Sequence, residues 1–142
     1  MANTLVPELA ASDARRSRQF YCETLGFDCV YERQEEGFCY LRLGEAELMI
    51  DQIGVGRTFD GGHLPAGYPF GKGLNLQIRV PSVAPLLDAL ACDACPLFLP
   101  LEDRWYRIGD EEAGNRQFVV ADPDGYLLRF FEDLGRRPLP SR

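Results

Sequence analysis

The chain is predicted to be an α+β protein made of two copies of one unit, a strand, a helix and three further strands. Three observations lead there. The order of elements repeats after about 70 residues, the mark of an internal duplication. Segments alternating apolar and polar residues, as half-buried strands do, are interleaved with short helices that carry their own start and stop signals. Arg116 to Phe131, RQFVVADPDGYLLRFF, is a β-hairpin in which Asp122-Pro123-Asp124-Gly125 joins two apolar runs. In that turn proline presets φ and glycine supplies the positive φ that other residues resist. One such unit is too small to close a core, so two are needed.

In chain order, Thr4 to Ala10 reads as a strand, and Ser12 or Asp13 as the N-cap of a helix from Ala14 to Thr24 that Gly26 ends. Phe27–Arg33, Gly37–Leu43 and Glu45–Gln52 are the next three strands, turned at Gln34-Glu35-Glu36 and at Gly44. Residues 53–73 are rich in glycine and proline and read as a linker or as a lid over a site. Leu74–Val80 alternates along its whole length, Val83–Ala91 is a short helix after Ser82, and strands are expected at Leu97–Leu99, Arg104–Ile108, Gln117–Ala121 and Tyr126–Phe131. The expected organisation is one domain over 1–142: module one at 1–52, the loop at 53–73, module two at 74–134 and a C-terminal tail at 135–142.

Length and charge bound the function. A chain of 142 residues buries roughly 68–70% of its unfolded surface in one core. No apolar run approaches the ~20 residues of a membrane span, and the N-terminus lacks the basic flank and apolar core of a secretory signal, so the cytosol is the expected compartment. The net charge of −7, without a basic run, argues against nucleic acid and anionic membranes and favours a cationic partner. Five cysteines are an odd number for a disulfide framework. Cys92 and Cys95 have redox-motif spacing but close a helix instead of opening one, where the dipole would lower a thiol pKa. The single His63 leaves no material for a multi-histidine zinc site.

The run Asp13…Ser17…Phe20-Tyr21…Leu25-Gly26-Phe27, the order of elements, and Asp122-Pro-Asp-Gly-Tyr-Leu-Leu-Arg-Phe before the C-terminus resemble the vicinal oxygen chelate superfamily over residues 4 to 132. That superfamily includes glyoxalase I, extradiol dioxygenases, fosfomycin-resistance enzymes and bleomycin-resistance proteins. The resemblance implies two paired βαβββ modules whose mixed sheets curl around a cleft, usually in a homodimer. It also implies metal-ligand positions on four strands, which here fall at Val6, Met49 (with Asp51 as the alternative register), Asn75 and Arg129. Valine and methionine do not bind a hard or borderline divalent ion, and a guanidinium repels one, so neither a metal nor another cofactor is expected.

The metal-free bleomycin-resistance branch is then the nearer likeness, and it implies sequestration of a drug without catalysis. Glu8, Glu47 and Asp51 share the inferred cavity face with Met49 and suit a cationic guest, such as a glycopeptide drug, as an antibiotic-resistance protein would need. Trp105 and Tyr106 offer stacking faces and cation–π attraction; Asn75 and Gln77 beside Arg129 form a hydrogen-bonding wall. Arg116, Gln117 and Phe118 match an Arg-Glu-Phe segment of the drug-binding members, with Gln for Glu, while the tryptophan those members carry upstream is replaced here by Gly114 and Asn115. Plainer readings stand beside these: Arg129 as the structural partner of Glu8 or Asp51, and Trp105-Tyr106 as core or interface aromatics. The alternative function is a metal-dependent glyoxalase- or dioxygenase-type enzyme with ligands drawn from Glu8, Glu47, Asp51 and His63.

Overall fold

A computed structural model describes residues 3–56, 59 and 61–141. The chain forms two compact units, one made of residues 1–74 with 122–126, the other of residues 75–121 with 127–142.

In the first unit the elements are β1 (Glu8–Ala11), α1 (Ala14–Gln19), a π-helical turn (Phe20–Thr24), β2 (Asp28–Arg33), a short 3₁₀ turn, β3 (Phe38–Leu43) and β4 (Ala46–Gln52). The sheet order is β1-β4-β3-β2, with β1 parallel to β4 and the other pairs antiparallel. Asp13 is the N-cap of α1, its carboxylate accepting from the Arg15 and Arg16 N–H groups. The helix expected to run evenly to Thr24 loosens at Phe20, where the Leu25 N–H donates back to the Phe20 carbonyl five residues earlier. This turn carries Tyr21, which is wholly buried and packs edge-on against Phe20 and Phe27. Leu9, Ala11, Cys39, Leu41, Leu48 and Ile50 are the buried residues on the same side of the sheet.

Residues 122–126 belong to this first unit, tied in by side chains. The Asp122 carboxylate accepts from its own turn, at the Asp124 and Tyr126 N–H groups, and from the Tyr21 hydroxyl at 2.8 Å. Asp124 accepts from the Ser12 N–H and hydroxyl, and the Tyr126 hydroxyl donates to the Ala10 carbonyl. Ser12 thus serves this turn and leaves the helix cap to Asp13. Gly125, at φ +91°, lies against Pro69, so close that a Cβ there would meet the Pro69 Cβ at 2.6 Å. The glycine therefore supplies both the turn's backbone angle and the room for the loop before β5.

In the second unit the order is β5 (Asn75–Arg79), α2 (Ala84–Cys92), β6 (Leu99–Ile108), β7 (Glu111–Ala121) and β8 (Leu127–Pro138). Its sheet runs β5-β8-β7-β6 and repeats the first topology, one parallel pair and two antiparallel pairs. Both sheets are open four-stranded layers, neither closed nor strongly curled. Several segments differ from expectation. The strands expected at Leu97–Leu99 and Arg104–Ile108 are one strand that begins at Leu99, with a register shift between Leu99 and Glu102. The strand expected at Thr4–Ala10 is confined to Glu8–Ala11, the one expected at Gln117–Ala121 starts already at Glu111, and the expected tail from residue 135 continues β8 as far as Pro138. The Val83 N–H at the start of α2 donates to the Glu132 carboxylate at 2.7 Å, a contact distant in sequence, while Ser82 reaches only the Ala84 N–H at 3.4 Å.

Candidate functional site

The sheet face of the first unit that points away from Tyr21 is set by strand alternation. Its register brings Glu8 opposite Met49, Met49 opposite Tyr40, and Tyr40 opposite Tyr31. One step along, Ala10, Asp51, Phe38 and Arg33 line up in the same way. Glu8, Glu47, Met49 and Asp51 therefore do share one face, and it carries an aromatic row that sequence reading missed. Tyr31 and Tyr40 stack at 5.1 Å and 16°, Phe38 sits 5.9 Å from Tyr31, and the Arg33 guanidinium covers the Phe38 ring at 4.0 Å. Tyr31 is 48% exposed, whereas Tyr40 and Phe38 are nearly buried, so Tyr31 is the open end of the row. The signal was present as alternating aromatics in Val30-Tyr31 and Phe38-Cys39-Tyr40, but only the register shift between Cys29 and Tyr31 brings the rings together.

The acidic groups on this face fall into two kinds. Glu47 is buried and occupied: Arg42 lies 3.4 Å away and the Asn3 N–H donates at 2.6 Å. Burial works against its ionisation, but Tyr40, Asn3 and Arg42 outweigh it and hold the carboxyl below the usual carboxylate range. Asp51 is the opposite case. Burial first, then the negative charges of Glu8 and Glu36, push its carboxyl up, with only Arg33 opposing. Glu8 and Asp51 open on a cavity of about 610 Å³ that is also lined by Tyr126 and by His63 and Lys72 from the 59–73 segment. That segment is thus part of a site wall. The cavity presents two acids that want a cation, beside a basic side chain at Lys72.

In the second unit the other expected residues divide between two faces. Asn75, Gln77 and Arg129 share one face, with Gln77 directly opposite Arg129. Gln117 and Tyr106 join them: the Gln117 amide is 1% exposed and donates to Glu102 at 3.0 Å and to the Tyr106 hydroxyl at 2.7 Å. Trp105, Arg116 and Phe118 point to the reverse side. Phe118 is wholly buried and stacks on Phe130 at 5.6 Å, and Arg116 grips Asp103 through two hydrogen bonds. One face of Trp105 lies on Gly114, where an added Cβ would come within 2.8 Å of the ring, and its ring is covered by the Arg137 guanidinium at 4.0 Å. The pairing of Trp105 with Tyr106 as one stacking surface is therefore corrected: adjacent strand residues face opposite ways, and Trp105 is already stacked.

Of the expected metal-ligand positions, Val6 precedes β1, Met49 faces Tyr40 and Glu8, and Asn75 and Arg129 lie on the second sheet. Glu8, Asp51 and His63 line one cavity, yet among the described residues no three of His, Cys, Asp and Glu come together as a metal cluster. All five cysteines are free thiols, and burial pushes the Cys39 thiol up to about 12. No helix among the described residues is long and apolar enough to cross a membrane.

No protein-family model matches the chain. It is, however, 30% identical over 139 residues to the bleomycin resistance protein of Geobacillus stearothermophilus, an alignment covering 91% of this chain and 96% of that protein. The chain belongs to the bleomycin resistance protein family. Solved structures share its fold. TioX from Micromonospora sp. ML1 superposes with a TM-score of 0.70 at 22% identity, over 94% of this chain and 100% of that one. A lactoylglutathione lyase from Agrobacterium tumefaciens does so at 0.58 and 13% identity, over 93% and 94%. The open βαβββ sheets described above are thus a fold shared with TioX and with a protein named as a lyase.

Proposed function

We propose that the chain is a stoichiometric binding protein that sequesters a cationic, aromatic small molecule without catalysis, a bleomycin-type glycopeptide drug being the candidate. The observation that carries this is the first unit's sheet face. Glu8 and Asp51, two acids that repel each other, open on a cavity, and the Tyr31–Tyr40–Phe38 row lies on the same face. A guest with a cationic group and a flat ring would relieve the repulsion between the acids and cover the exposed Tyr31 ring. The family relatives, bleomycin resistance proteins by name, support the same reading. The protein acts in the cytosol as a homodimer, with no metal, cofactor, nucleic acid or membrane as partner.

The test is titration calorimetry with a bleomycin-type drug, with chelator present, on wild type and Asp51→Asn. Binding is expected near one drug per chain, and the variant should lose about 1–3 kcal/mol as a charge-assisted contact disappears. Raising the salt should weaken the wild type more than the variant, because part of the attraction is screened. Affinity unmeasurable at every salt, or stoichiometric divalent metal whose removal abolishes a turnover activity, would overturn the proposal.

A further inference from the structure

The second sheet holds a half-buried cation with a buried donor that, among the described residues, has no partner. Arg129 sits mid-strand on β8, between Gln77 on β5 and Val119 on β7. Its Nε is buried without a hydrogen-bond partner, and among the described residues Arg129 makes no ion pair. The acids on the same face are engaged elsewhere. Glu102 accepts from Gln117, and Asp133 accepts from the Gly135 N–H and lies 3.8 Å from Arg79. Leaving a charged donor buried and unpaired is costly, whereas a bound acceptor would recover that cost.

The surroundings say which acceptor. Along the strand Arg129 is flanked on its own face by Leu127 and Phe131, with Val119 beside it, and the nearest polar groups on β5 are the neutral, exposed amides of Asn75 and Gln77. Arg79, the next residue on that face of β5, has Asp133 as its partner at 3.8 Å, and Gln117 is engaged with Glu102 and Tyr106. One unpaired guanidinium with amide donors and apolar flanks suits a planar monoanion that carries a hydrophobic body. A phosphate dianion would call for a second unpaired cation. The guanidinium fork matches the two oxygens of a carboxylate. We infer that this face of the second sheet is a carboxylate-binding subsite, centred on Arg129 with Gln77 and Asn75 as flanking donors, for an aromatic or otherwise apolar carboxylic acid. It goes beyond the cationic-ligand reading above and stands without it, because it uses none of the same residues.

The probes are benzoate, benzylamine and inorganic phosphate, followed by backbone amide chemical shifts of the full chain at constant ionic strength. Benzoate should produce saturable shifts at Gln77, Arg129 and Val119, while benzylamine and phosphate should not. Arg129→Gln should weaken benzoate roughly tenfold or more, and Arg129→Lys, which keeps the charge but loses the fork, by several-fold. Should Arg129→Gln fail to fold, the Lys variant and Gln77→Leu decide the matter. Equal shifts with benzylamine, tighter phosphate binding, or benzoate affinity unchanged by these substitutions would each overturn the subsite. None of those outcomes touches the drug titration, which is read at Asp51.

Discussion

Replacing Asp122 with Asn tests whether the turn that closes the first unit is held by a carboxyl that prefers its proton. Asp122 is 4% exposed, and burial pushes its carboxyl up from the ordinary 3.8 to about 6, against the lowering effect of hydrogen bonds from Tyr21, Tyr126 and Asp124. Because the folded value is raised, the protonated group's contribution to stability is fully present below pH 3.8 and is lost as the pH rises through about 6. Ionisation at high pH therefore costs the fold about 3 kcal/mol, and wild type should regain on the order of 1 kcal/mol of this between about pH 7.5 and about pH 5. In Asp122→Asn the side-chain oxygen still accepts from the Asp124 and Tyr126 N–H groups, and the Tyr21 hydroxyl can turn to accept from the new amide. The variant should lack this pH response. Urea unfolding of both proteins at the two pH values isolates the group, since every other titration cancels in the difference. Parallel pH profiles, or a wild type that loses stability relative to the variant on acidification, would refute the argument.

Two further outcomes follow from packing. Gly114→Ala places a methyl group within 2.8 Å of the Trp105 ring and should destabilise the protein by about 1–3 kcal/mol by denaturant unfolding. An unchanged midpoint would mean that the ring does not rest there. Tyr31→Ala removes a half-exposed ring stacked on Tyr40, so stability should fall by only about 0.5–1.5 kcal/mol. Binding of an aromatic cation should weaken by a similar amount that calorimetry finds insensitive to salt.

Much of the fold was legible because local signals and long-range pairing agree. The Asp122–Gly125 turn, the alternation of Leu74–Val80 and the duplicated order of elements each follow from short-range chemistry, and the two sheets repeat one topology as that order requires. What escaped depended on partners distant in sequence. The start of α2 is served by Glu132, Ser12 by Asp124, and β6 is continuous only because β7 pairs with it along most of its length. In the candidate site, strand alternation places Glu47, Met49 and Asp51 together on β4, and Glu8 joins them through the parallel pairing of β1 with β4. Whether Glu47 was available was not readable, since Arg42 and Asn3 neutralise it through contacts that alternation does not reveal. Trp105, Arg116 and Phe118 were grouped with Tyr106 and Arg129 by chemical suitability, and the period of two separates them.

The seating of Trp105 between Gly114 and Arg137 has an optical consequence. It is the sole tryptophan in the chain, so all indole emission comes from one place, where the ends of β6, β7 and β8 meet. Its brightness and wavelength will track whether a guanidinium and a peptide plane remain against the ring, which makes it a built-in gauge of fraying at those strand ends. The occupancy of the cavity beside Glu8 and Asp51 belongs to a different chromophore, Tyr126 in its wall, and is better followed by tyrosine difference absorbance. A drug titration that leaves tryptophan fluorescence flat is therefore the expected result for a ligand bound on that face.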